Sequence, residues 1–132
     1  MNKSCVNIRQ EIDIVAARQL GRDLAKEVGF SAVDQARFTT AVSEIARNIY
    51  LYANEGKICF DITQNMNHTG LRLTATDSGP GIKDISKAME DGYTTSGGLG
   101  AGLPGVKRLM DEFDISSEEN VGTKIMVIKW KR

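Results

Sequence analysis

The stretch Lys57-Ile58-Cys59-Phe60-Asp61-Ile62-Thr63, followed by Leu71-Arg72-Leu73-Thr74-Ala75-Thr76, decides how the rest of the chain is read. Each half alternates apolar and polar residues, the period of a half-buried strand, and residues 65–70 turn between them. The pair is a predicted hairpin with a longish loop. Ahead of it the period is helical. Ile14, Ala17, Leu20, Leu24 and Val28 recur on one face behind Asp13, which can cap a helix, and Gly29 ends the run. Ser31 caps a second helix carrying Val33, Phe38, Ala41, Val42, Ile45, Ile49 and Tyr52, and Gly56 closes it. Residues 4–8 read as an opening strand.

Beyond the hairpin, residues 77–81 read as a turn, 84–90 as a short helix and 91–102 as a glycine-rich loop. A third long helix is predicted over 103–113, then strands at 114–117 and 123–130. The order β-α-α-β-β-α-α-β-β puts helices on one face of a mixed, mostly antiparallel sheet, an α+β two-layer sandwich. A doubly wound parallel sheet needs regular β-α alternation, which this order lacks. With 132 residues and no Pro-rich linker or internal repeat, a single domain over 1–132 is expected.

Seventeen basic residues balance seventeen acidic ones, with no basic stripe beyond the tail Lys129, Lys131, Arg132, so nucleic acid is not an expected partner. No apolar leader or membrane-length run is present, which points to the cytoplasm and to no membrane contact. Cys5 and Cys59 lie far apart in alternating stretches, without CxxC or zinc-ligand spacing, and are expected to be buried free thiols. His68, the sole histidine, falls in the polar loop and reads as a solvated side chain. Trp130 reads as a strand residue over a core edge, and the acidic residues from Asp111 to Glu119 as a solvated face.

Three segments carry chemistry. Thr94-Thr95-Ser96-Gly97-Gly98-Leu99-Gly100-Ala101-Gly102-Leu103-Pro104-Gly105-Val106 runs straight into an apolar helix. Such backbone N–H groups can approach an anion closely, and a helix N-terminus adds positive potential, so a phosphate cradle is its natural use beside that of a plain loop. No Gly-Lys-Ser/Thr ends it, so it is not a Walker loop. Asp77-Ser78-Gly79-Pro80-Gly81 follows a strand directly. Its carboxylate can accept from an exocyclic amine, although Asp-Ser-Gly-Pro also marks an ordinary turn. In the second helix, Glu44 and Asn48 are four apart and share a face at about 6 Å. An amide oxygen there suits magnesium, which keeps several waters, and the carboxylate suits a general base. A solvated helix face is the competing use.

Together with Gly122-Thr123 between the last strands, these segments match in order the nucleotide-site boxes of the GHKL, or Bergerat-fold, ATP-binding class. The stretches Asp13-Ile14-Val15-Ala16-Ala17-Arg18-Gln19-Leu20-Gly21, Glu44-Ile45-Ala46-Arg47-Asn48-Ile49-Tyr50 and residues 96–113 further resemble the anti-sigma-factor serine kinase family, in particular its RsbT-type stressosome switch kinases. The resemblance implies ATP with Mg²⁺ and phosphoryl transfer to a serine or threonine of STAS-domain antagonist and scaffold proteins. It also implies activation of a PP2C-type phosphatase, through its regulatory domain, by the released kinase. Carried over by position, Glu44 is the general base and Asn48 the magnesium ligand. Asp77 binds the adenine amine, with Gly79 and Gly81 packing the base. Gly98, Gly100 and Gly102 serve the phosphates, and Thr123 supports the adenine end. Arg47 is left between a phosphate or partner contact and a surface ion pair. The loop from Asp91 to Gly102 is shorter than a histidine-kinase lid and has no Phe-rich box, only Tyr93. The rival functions are a sigma-factor-binding anti-sigma kinase, a non-catalytic nucleotide-gated adaptor, and a hydrolytic ATPase module, whose transducer domain 132 residues cannot hold.

Overall fold

The computed structural model describes residues 3–53, 55–82, 89 and 102–132. Strand β1 (Ser4–Ile8) leads into helices α1 (Glu11–Val28) and α2 (Ala32–Asn48), then a π-helical turn (Ile49–Ala53). The hairpin β2 (Gly56–Asn65) and β3 (His68–Asp77) follows, then α3 (Gly102–Leu109), β4 (Glu112–Glu118) and β5 (Gly122–Trp130). Among the described residues the sheet runs β1-β2-β3-β5-β4 and every pairing is antiparallel. The expected α+β layering holds.

Several boundaries move for local reasons. Asp13 stands at the third position of α1, not at its cap, and its Oδ2 accepts the Arg9 and Gln10 N–H groups, each at 2.9 Å. Ser31 does cap α2, its Oγ accepting the Asp34 N–H at 3.2 Å. Gly56 opens β2 instead of closing a helix, because the π turn ends the helical path first. The loop expected over 65–70 shrinks to Met66 and Asn67, so His68 begins β3 opposite Asn65. Met66 takes the left-handed φ of 51° that so tight a turn demands. The third helix stops at Leu109 because Phe113 joins Ile115 in the alternation of β4.

Register explains the core. Val6, Ile58, Ala75, Ile125 and Ile115 form one row across the sheet, and Phe60, Leu73, Val127 and Phe113 lie in the next. Opposed residues share a face, so both rows meet the helices, which bury Ile14, Ala17, Phe38, Val42 and Ile45. Gly21 lets α1 approach closely, since a Cβ there would stand 3.1 Å from Val42 Cγ2 and 3.3 Å from the Phe60 ring. At the other side of α2 the buried Lys129 donates to the Leu109 carbonyl at 2.9 Å and lies 3.7 Å from Asp34 Oδ1, tying β5 to α3 and α2.

The cysteines overturn their expectation. Cys5 and Cys59 are directly opposed on β1 and β2 and joined by a disulfide. They occupy the polar phase of the alternation, so they face away from the helices, Cys5 exposed and Cys59 half-buried. Two rungs along that face Asp61, 7% exposed, accepts the Arg72 guanidinium through both carboxylate oxygens. Trp130 is a strand residue as expected, its indole N–H donating to Glu112 Oε2 at 2.9 Å.

Candidate functional site

A third row of the sheet differs from the two apolar ones. Ile8, Gly56, Asp77, Thr123 and Ser117 lie in register on the helix-facing side, so apolar side chains give way to polar ones at that end. The C-terminal end of α2 reaches the same place. A Cβ on Gly56 would stand 2.8 Å from Ile49 Cγ2 and 3.0 Å from Asp77 Cβ, so only glycine lets the residue after Asn48 close onto the strand end. A Cβ on Gly79 would stand 2.6 Å from Ala53 Cβ. The π turn therefore sits on the Asp77 turn, and the Glu44/Asn48 helix and the Asp77 segment come together.

Within α2, Glu44 is buried at 2% exposure, which excludes the solvated helix face. Its Oε1 lies 3.9 Å from Arg47 Nη1, and the Arg47 side chain is partly exposed. Asn48 Oδ1 is shielded from solvent and has no hydrogen-bond partner among the described residues. A buried acceptor left without a donor costs about 1–3 kcal/mol, and native structures seldom leave one so unless another species satisfies it. Among the described residues no group of three or more His, Cys, Asp or Glu could hold a metal.

Asp77 Oδ1 accepts the Gly79 N–H at 2.9 Å, which bends the turn away from the strand. Gly81 has φ 76° and a Cβ there would stand 2.3 Å from the Glu118 carbonyl. Gly122 has φ 147° and its Cβ would stand 2.1 Å from the Asp77 carbonyl. Asn120 N–H donates to the Pro80 carbonyl at 2.7 Å. The β4–β5 turn thus clasps the Asp77–Gly81 turn, and both glycines are spent on that contact. Thr123 lies opposite Asp77, with its Oγ1 2.8 Å from Ser117 Oγ.

Gly102, with φ 74°, opens α3 and is buried, and α3 packs on α2. Gly98, Gly100 and Tyr93, together with the helix expected over 84–90 apart from Met89, lie outside the described residues. Ser117 escaped the sequence reading. Its signal was its phase with Ile115 in β4, which has no meaning until the register with β5 is known. A cavity of about 300 Å³ opens beside Arg9, Lys57 and Asp77, and neither Glu44 nor Asn48 lines it.

Residues 8–129 match the model of the histidine kinase-like ATPase domain. The serine/threonine-protein kinase RsbT of Bacillus subtilis (strain 168) is 63% identical over 131 residues, 99% of this chain and 98% of that protein. An anti-sigma F factor of Clostridium acetobutylicum is 36% identical over 67% of this chain and 65% of its own. Among solved structures, a mycobacterial sensor histidine kinase, MprB, superposes with a TM-score of 0.56 at 16% identity over 99% of both chains. At that identity the likeness is one of fold alone. No helix among the described residues is long and apolar enough to cross a membrane.

Proposed function

This chain belongs to the histidine kinase-like ATPase domain family, and from that footing we propose that it works as an ATP- and magnesium-dependent signalling switch. It is a serine/threonine protein kinase, and it uses ATP. Its substrates are STAS-domain antagonist and scaffold proteins of a stressosome. Once released from them it activates a PP2C-type phosphatase by binding that protein's regulatory domain. The single domain 1–132 acts in the cytoplasm, without nucleic acid or membrane. The Cys5–Cys59 bond bears on that placement, since cytosolic reductants keep most thiols reduced. Thiol titration of freshly isolated protein measures it.

The observation that carries the proposal is the buried, unpartnered Asn48 amide oxygen one turn from the buried Glu44. A neutral oxygen ligand suits magnesium, which binds through few protein groups and substrate phosphates. Bound there, magnesium would neutralise charge on the triphosphate. Glu44 accepts the proton of the attacking serine or threonine hydroxyl, and Arg47 supplies counter-charge beside it. Asp77 accepts from the adenine amine, and Thr123 supports the same end of the base. Gly79 and Gly81 hold the Asp77 turn against Ala53 and Glu118, which fixes where the base packs. The backbone N–H groups of Gly98, Gly100 and Gly102 serve the phosphates. Phosphoryl transfer asks mainly for this kind of positioning and charge stabilisation.

Labelled ATP, magnesium and a STAS-domain protein provide the test. Label should appear on a serine or threonine of the partner, and ATP affinity should fall when magnesium is withheld. Absence of transfer by a folded, ATP-binding sample would leave the adaptor function in its place. Direct sigma-factor binding is a second reading, favoured by the relatives named anti-sigma F factors. A pull-down against a sigma factor and against the phosphatase separates the two.

A further inference from the structure

Lys129 carries a buried charge that no role above uses. It is 4% exposed on β5, its ammonium donates to the Leu109 carbonyl at 2.9 Å, and it lies 3.7 Å from Asp34 Oδ1. Asp34 is buried as well and accepts from Arg37 Nη1 at 3.2 Å. An ammonium taken out of water is costly unless it is paired, and an apolar side chain of similar length would fill the space without that cost. What the charge adds to packing is direction.

Leu109 is the last residue of α3, and Asp34 stands in the first turn of α2. A cation suits a helix C-terminus and a carboxylate a helix N-terminus, so each charge lies at the helix end that favours it. The Asp111 N–H donates to the Ile128 carbonyl at 3.0 Å and ties the chain just after α3 to the same strand. One end of α3 is thus pinned to β5 and to the start of α2. From that pin α2 runs toward Glu44 and Asn48, and α3 runs back toward Gly102, with the two helices packed together. Burial of Leu103 and Val106 holds α3 to the core without a direction of its own, whereas the hydrogen bond from Lys129 is directional. A helix of 8 residues is about 12 Å long, so a tilt of about 5° at the pinned end moves the other end by about 1 Å. A shift of that size is enough to spoil a positioned contact.

We infer that Lys129 is a positioning residue for phosphate binding: held between Asp34 and the Leu109 carbonyl, it sets the tilt of α3 and so the place where Gly102 and the helix N-terminus meet the triphosphate. This rests on the phosphate reading of Gly102 given above and deepens it. Lys129 acts through the helix, from its far end, and not by contact with the nucleotide. Asp77 and Thr123, by contrast, are held by the register of β3 with β5, so the adenine end does not depend on the tilt of α3.

The test is calorimetric titration of the full chain with ATP and with adenosine, in magnesium and well below the Tm of each variant. Wild type should prefer ATP. Lys129→Met keeps the length of the side chain and removes its charge. It should weaken ATP by about tenfold or more, the worth of a hydrogen bond to a charged group, and leave adenosine within about twofold. If Lys129→Met does not fold, the double variant Asp34→Asn/Lys129→Met removes both buried charges, strands neither, and should show the same selective loss. A preference for ATP over adenosine equal to that of wild type, through no loss or through equal losses, would make Lys129 a structural tie only and overturn the inference. That outcome leaves the phosphate reading standing, because wild type still distinguishes the two ligands. A wild type that binds ATP and adenosine alike would end the phosphate reading, and the inference with it.

Discussion

At the scale of single residues, burial changes the meaning of Glu44. A carboxylate at 2% exposure beside Arg47 sits where water does not compete for a proton. Glu44→Ala should keep ATP affinity and lower phosphotransfer by about 10²–10⁴-fold; unchanged transfer in a radiometric assay would remove it from the base role. Asp77→Asn exchanges an acceptor for a group that also donates toward the adenine amine. It should weaken ATP binding by about tenfold or more, since hydrogen bonds to charged groups are worth about 1.5–3 kcal/mol. Titration with an unaltered dissociation constant would end that assignment. Both residues were legible in the sequence through their spacing and the glycines around them. Ser117 was not, since a serine in an alternating strand announces its phase but not its neighbour.

At the scale of elements, two turns hold the polar end of the sheet. Gly81 combines φ 76° with a Cβ position 2.3 Å from the Glu118 carbonyl. Gly81→Ala therefore has to open the clasp between the two turns. A loss of about 1–3 kcal/mol is expected, with weaker ATP binding alongside. A thermal melt and a nucleotide titration check it; an unchanged Tm would show that the clasp yields without cost. The start of α1 gives a pH test. The Arg9 and Gln10 backbone N–H groups hold the Asp13 carboxyl below its ordinary value. Its stabilising share is complete above the unfolded carboxylate pKa of about 3.9 and disappears as pH falls through the depressed native value. Asp13→Asn should therefore lower Tm at neutral pH, with the gap closing in acid. A gap as wide at pH 2 as at pH 7 would contradict this. The helices and the hairpin were readable because period is a local property. Their ends were less so: Gly56, read as a helix stop, begins a strand because the π turn intervenes.

At the scale of the whole molecule, the Cys5–Cys59 bond closes a loop across 54 residues and ties the edge strand to the sheet. Chain entropy alone gives such a closure about 4 kcal/mol of stability. Reduction should lower Tm by several degrees, and titration of the unreduced, denatured protein should find no free thiol. Two titratable thiols before reduction would contradict the bond. Alternation in the sequence placed each cysteine in a strand, but pairing across β1 and β2 depends on a register that spans both helices. The same holds for Lys129, a basic residue of the C-terminal strand that becomes a buried tie to the Leu109 carbonyl.

The amino-acid order by itself determined the layered α+β class, the helical and extended periods, and the candidate residues Glu44, Asn48 and Asp77, because each depends on neighbours within a few positions. Only the tertiary structure decided which of them meet. Register set Asp77 between Gly56 and Thr123, and close glycine contacts drew the end of α2 onto that row. Packing then buried Glu44 and left the Asn48 oxygen without a partner. Distances between residues remote in the chain follow from packing and pairing, which no local pattern encodes.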